Sequence, residues 1–247
     1  MHFYTQTATG IEPRHFVENK SGGGLRPSRQ SDARAALKRG ETWVSSVTTI
    51  LGVLDKPALL NWKIDKHLET AFLMDVHKYG AEEFARECKR LTADALDAAP
   101  KAGTDFHKVM EDCFNSGNLP ENPTEAKAAT AIIKKIHDVC GDVQIECEKY
   151  FIGDGYAGCA DLVVGDWVID YKTKQTADKF KPGKMVYAEH TRQLAAYAKA
   201  LGKPKAANIF ICLENGEIDF HIHALDSLVD GWLDFEACIG IFNRSKS

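Results

Sequence analysis

The sequence predicts a mixed α/β protein, an α+β core accompanied by a helical N-terminal region. Three observations carry that class. Up to about residue 140 apolar residues recur at helical spacing, and at Gly141 the pattern changes to short β-branched runs. From residue 103 the order reads helices, three strands, helix, two strands, helix. A chain of 247 residues with 44% hydrophobic content is long enough to bury a substantial core.

Residues 1–30, with Ser21-Gly22-Gly23-Gly24 and little apolar periodicity, are expected to form a flexible N-terminal arm. A short helix follows from Ser31 to Lys38 and stops at Gly40, while Trp43 to Leu51 is β-branched enough to suit either strand or helix. Pro57 opens a helix that Leu59, Leu60, Trp62, Ile64, Leu68, Phe72 and Leu73 continue, and a second helix is expected from Ala81 to Leu96. Residues 31–99 thus form a helical region. Pro100 is expected to separate it from the core, 100–247, which starts with a helix capped by Thr104 and striped by Phe106, Val109, Met110, Cys113 and Phe114. His107 and Glu111 are four apart and share one face of that helix.

Asn122-Pro123 caps the next helix, which runs to about Val139. Strands follow over Val143–Phe151 and, as a pair joined at Gly165-Asp166, over 155–174. A helix over Met185–Leu201 places Gln193 and Tyr197 on one face. Ala206–Leu213 and Ile218–Ala224 read as strands joined through Asn215-Gly216, and a helix over Ser227–Phe242 closes the core.

A formal net charge of −4 gives no global basic field, so any nucleic-acid contact has to come from local patches. Two stretches qualify: Lys172, Lys174, Lys179, Lys181 and Lys184, opposed only by Asp178, and Arg26, Arg29, Arg34, Lys38 and Arg39. Each also reads as a solvated charged face. Seven cysteines without a C-x-x-C pair argue against a disulfide framework and against a compact zinc or iron–sulfur site. The first residues lack a basic region leading into an apolar run, and no stretch approaches the roughly 18 apolar residues of a membrane span. A soluble, cytoplasmic protein without a membrane partner is the expectation.

The chemistry concentrates in 155–174. Asp161 lies in one apolar strand, and Asp170 and Lys172 lie in the next. Strand alternation sends Asp170 and Lys172 to one face and Trp167, Ile169 and Tyr171 to the other. Leu162-Val163-Val164 and Trp167-Val168-Ile169 flank these charges with the hydrophobicity of buried strands, so ionised groups there need partners. Two carboxylates on neighbouring strands suit a hard cation such as Mg²⁺ or Mn²⁺, and an adjacent lysine suits a phosphate oxygen or a water.

These residues resemble the PD-(D/E)xK nuclease superfamily: Gly158-x-x-Asp161 on one strand, then Asp170-Tyr171-Lys172 on the next. Aspartate rather than glutamate before the spacer, with threonine after the lysine, is similar to the RecB-like exonuclease branch. So are Gly103-Thr104 followed by His107 upstream, and Gln193-Leu194-Ala195-Ala196-Tyr197 downstream as its Q-x-x-x-Y element. The resemblance covers roughly residues 100–225. Ser46-Val47-Thr48-Thr49-Ile50-Leu51 extends it toward the mitochondrial genome maintenance exonuclease and related phage exonucleases.

The resemblance implies a restriction-endonuclease-like core with a central mixed sheet flanked by helices. It implies catalytic roles for Lys172, Asp170, Asp161, Gln193 and Tyr197, and a Mg²⁺ or Mn²⁺ site formed by His107, Asp161, Asp170 and the Tyr171 carbonyl. Glu148 is a further candidate ligand, with Glu146 competing for that place. Lys174, Lys179, Lys181, Lys184 and Arg192 are expected to bind DNA; Trp43, Trp62 and Phe180 are candidates to stack on a base. Some members of the branch carry four clustered cysteines; this chain does not, and no iron–sulfur cluster is expected. His221-x-His223 reads as a pair of ordinary strand histidines.

The expected function is a metal-dependent DNA exonuclease of recombination, repair or replication, acting on linear double- or single-stranded ends. A single-strand annealing or binding protein is a candidate partner. A structure-selective endonuclease and a catalytically inactive DNA-binding module are the alternatives, and the helical region 31–99 is expected to wall a DNA groove.

Overall fold

The computed structural model describes residues 1–19 and 22–245, which divide into two compact units, Met1–Leu54 with Glu111–Ser247, and Asp55–Met110. The first 30 residues carry four strands: β1 (Phe3–Thr7), β2 (Gly10–Pro13), β3 (Phe16–Glu18) and β4 (Leu25–Pro27). After α1 (Gln30–Lys38), β5 (Trp43–Ser45) pairs with the free edge of β1, giving the sheet order β2-β1-β5. Burial explains why this hairpin is faint in the sequence. Phe3, Tyr4 and Thr5 are consecutively buried, so β1 lacks the in–out alternation that marks a half-exposed strand. Ser21, part of the glycine-rich stretch expected in the arm, lies outside the described residues.

The ambiguous stretch Trp43 to Leu51 divides into both alternatives. β5 is followed by α2 (Val47–Ile50), whose N-cap Ser46 accepts a hydrogen bond from the Thr49 N–H at 3.1 Å. Val47, Ile50 and Leu51 are buried in the core cluster with Phe151, Tyr156 and Leu194.

The second unit holds α3 (Pro57–Leu73) and most of α4 (Ala81–Ser116). The break expected at Pro100 does not occur, because Pro100 sits inside this single 36-residue helix. Proline removes one N–H, and the helix-favouring neighbours Ala93, Ala98 and Ala102 sustain the turns around it. Thr104, expected as an N-cap, instead donates its hydroxyl to the Pro100 carbonyl one turn back, at 3.1 Å.

The core continues with α5 (Pro123–Cys140), capped by the Asn122 side chain, and then β6 (Ile145–Ile152), β7 (Ala157–Val164) and β8 (Trp167–Lys174). It ends with α6 (Ala188–Leu201), β9 (Lys205–Cys212), β10 (Ile218–Ile222) and α7 (Leu225–Arg244). The five strands form a mixed sheet in the order β10-β9-β8-β7-β6. Only β8 and β9 run parallel, a pairing that needs a crossover, and α6 supplies it. α6 packs on β8 and β9, and α7 packs on α6.

α6 starts at Ala188 rather than Met185. Met185 is buried against Phe180, Phe210 and Cys212, so its apolar character serves loop packing rather than the helix stripe. Among the described residues no helix is long and apolar enough to cross a membrane.

Candidate active site

The site lies where the sheet forks. β7 and β8 pair from Val164↔Trp167 to Leu162↔Ile169 and then separate. The next pair along that register would be Asp161 and Asp170. Asp161 instead accepts the Tyr171 backbone N–H on its Oδ2 at 2.7 Å, so a side chain satisfies a donor that the ladder has released. On the other side of β7, the ladder pairs Cys147↔Leu162 and Lys149↔Ala160, which sets Glu148 opposite Asp161. Glu148 has φ of 47°, a left-handed conformation that costs a non-glycine residue about 1–3 kcal/mol. The thiol of Cys159 donates to its Oε2 at 3.2 Å. Burial and then the Glu148 charge push the Cys159 thiol far up, so it is a donor and not a nucleophile.

Within the first unit, Glu148 and Asp161 are the two carboxylates that the β6–β7 ladder sets side by side, while His107, the other expected ligand, lies in the second unit. Two carboxylates on adjacent strands offer oxygen donors to a divalent cation. Glu146, the competitor of Glu148, is paired with Lys149 at 2.5 Å. His107 stands on α4, which continues unbroken to Ser116.

Asp170 occupies a different position from that group. Its carboxylate is 2% exposed and fully engaged: Gln193 Nε2 donates to Oδ1 at 2.9 Å, Asn208 Nδ2 to Oδ2 at 2.8 Å, and Lys172 Nζ lies 2.6 Å from Oδ2. Gln193 is oriented by charge on both sides, because its Oε1 accepts from Lys172 Nζ at 3.2 Å while its Nε2 also donates to Tyr197 Oη at 3.1 Å. As strand alternation predicts, Asp170 and Lys172 face the same helix, α6. Gly158 permits the seat of Tyr197: a Cβ there would stand 2.6 Å from Phe151 Cζ and 3.2 Å from Tyr197 Cε1.

Burial lowers the Lys172 pKa, but the Asp170 and Asp161 charges outweigh it and the value ends above that of an ordinary lysine. Lys172 is therefore a fixed ammonium held beside two acidic groups.

Asn208 and His223 join the Asp170 network although the motifs do not contain them. Asn208 lies directly across the parallel pair from Asp170 and is fully buried. Its Nδ2 is committed to a carboxylate, so its Oδ1 accepts from His223 Nε2 at 2.8 Å. That fixes the tautomer, and His223 Nδ1 then faces the Thr191 hydroxyl at 3.3 Å. Burial and the neighbouring His221 hold His223 down to about 4, which keeps it neutral. One of the two strand histidines thus belongs to a buried polar chain ending on Asp170. A lone asparagine in Lys205-Ala-Ala-Asn208-Ile-Phe-Ile-Cys212 was the available signal, since a polar group in so apolar a run needs a partner.

The remaining predicted residues are dispersed. Lys179, Lys181 and Lys184 are exposed on the segment before α6, Lys174 is half-buried, and Arg192 is paired with Asp234 on α7 at 2.8 Å. Phe180 is buried against Met185 and Phe210, which removes it as a stacking surface. The Trp43 indole N–H is donated to Glu41 at 3.0 Å.

No protein-family model matches the chain, and no curated protein matches it. Among solved structures it is similar to the crystal structure of SSO0001, at 15% identity over 73% of this chain and 85% of that one, with a TM-score of 0.30. It is also similar to an alkaline exonuclease (LHK-Exo) from Laribacter hongkongensis, at 14% identity over 57% of this chain and 84% of that one, with a TM-score of 0.28. Likeness at this level carries no functional argument, which rests on the site itself.

Proposed function

We propose that the chain is a metal-dependent deoxyribonuclease that hydrolyses phosphodiester bonds from the ends of linear DNA. One observation carries this reading: an Asp170–Lys172–Gln193 network with a buried carboxylate stands at a sheet fork where two further carboxylates, Asp161 and Glu148, lie opposite each other across the β6–β7 ladder. The donors fit the cation by their chemistry. Carboxylate oxygens suit Mg²⁺ and Mn²⁺. The Tyr171 carbonyl is proposed to add an oxygen ligand, while Asp170, expected as a ligand, is instead proposed to hold Lys172 in place, both its oxygens being engaged by Gln193, Asn208 and Lys172. A bound cation would polarise the scissile phosphoryl group and acidify a water for in-line attack.

The chain's own groups supply the rest. The Lys172 ammonium is fixed by Asp170 and Gln193, so it meets the charge developing on the phosphoryl oxygens without reorganising. Gln193 holds the acid and the lysine in one register, and Tyr197 supports Gln193. Lys174, Lys179, Lys181 and Lys184 are proposed to track the phosphates leading to that point.

Linear and covalently closed circular DNA, each incubated with Mg²⁺ or Mn²⁺, test the reading. Nucleotides should be released from linear DNA alone. Cutting of the closed circle would replace the exonuclease with an endonuclease, and DNA binding without cleavage of either form would leave only a binding module.

A further inference from the structure

Resting on the nuclease reading, we infer that Tyr187 and Lys174 form a stacking subsite for an unpaired deoxynucleotide next to the scissile phosphate. Tyr187 is the N-cap residue of α6, the helix that carries Gln193 and Tyr197, yet its side chain is not consumed by the core: it is 55% exposed. The Lys174 ammonium lies 5.6 Å from the centre of its ring. Lys174 follows Lys172 on the same face of β8, which sets the two Cα atoms roughly 7 Å apart.

The ring is braced from behind. Tyr187 meets His190 edge-on, with centroids 5.3 Å apart, and His190 meets Phe210 at 5.6 Å. Phe210 is the parallel-strand partner of Lys172. The Tyr187 N–H also donates to His190 Nδ1 at 3.3 Å, which ties backbone and imidazole together. An exposed aromatic ring is thereby held on a rigid column that ends beside the proposed catalytic lysine.

Base stacking on such a ring is tolerant of sequence, as every base has a π face, and the neighbouring lysine suits the phosphate of the same nucleotide. A paired base inside a duplex keeps its faces covered by its neighbours. The subsite therefore favours a single strand, and the substrate class becomes DNA with an unpaired end.

The test uses the full chain in EDTA, with a single-stranded oligodeoxynucleotide carrying 2-aminopurine near its end, and with a blunt duplex as reference. Wild type should quench the 2-aminopurine and bind the single strand; Tyr187→Ala should abolish the quench and weaken single-strand binding about 10-fold, leaving duplex binding unchanged. Tyr187→Phe should restore both, and Lys174→Ala should weaken binding and flatten its salt dependence. Equal binding and quenching by wild type and Tyr187→Ala would overturn the subsite and leave the nuclease reading standing. Absence of binding to either DNA by wild type would overturn both.

Discussion

Asn208 donates its side-chain amide to Asp170 at 2.8 Å from the directly opposed position of the parallel strand pair β8–β9. The bond matters because the Asp170 carboxylate is buried, and each of its donors restrains where Lys172 can stand. Asn208→Leu should lower cleavage by about 10–100-fold and stability by about 1–3 kcal/mol. Cleavage rates and a urea midpoint measure the two effects.

Lys172 pairs with a buried Asp170, and removing the lysine strands the acid. Lys172→Ala should abolish cleavage and cost roughly 3–5 kcal/mol of stability. The double variant Asp170→Asn/Lys172→Met should recover part of that stability with no recovery of activity. Denaturation of the two variants side by side separates the structural role from the chemical one.

Glu148 keeps a left-handed backbone opposite Asp161. Strain of that kind at a proposed ligand position predicts opposite effects on folding and on binding. Glu148→Gly should exceed Glu148→Ala in stability by about 1 kcal/mol, while both lose Mn²⁺ affinity in a calorimetric titration.

The pH dependence follows from the buried histidines. His223 and His190 are held at about 4, each chiefly by burial, against an ordinary value of 6.5. The unfolded chain therefore binds more protons between those values, and stability falls as the pH drops from 6.5 toward 4. For His223 alone the loss at pH 4 is about 3 kcal/mol. His223→Gln should flatten that part of the curve, as read from denaturation midpoints across the range.

Much of this site is legible in the sequence because strands expose their chemistry through parity. Asp161, Asp170 and Lys172 stand out as charges in apolar strands, and the spacing of Gln193 and Tyr197 puts them on one helical face. The fork between β7 and β8 is not legible, since it depends on where two strands stop pairing. Asn208 and His223 are hidden for a related reason: their partnership crosses from β9 to the end of β10 and is set by sheet order. In the fold, Pro100 reads locally as a break, but the turns on either side outweigh one missing donor. The hairpin β1–β2 escapes notice because consecutive burial erases its period.

Release of nucleotides from end-labelled linear DNA tests the central claim most directly, comparing wild type with Lys172→Ala and Asp170→Ala in Mg²⁺ or Mn²⁺ and in EDTA. Wild type should release nucleotides only with the cation, and both variants should be inactive while still folded by circular dichroism. Release of no nucleotides by wild type with either cation, or variants as active as wild type, would contradict it.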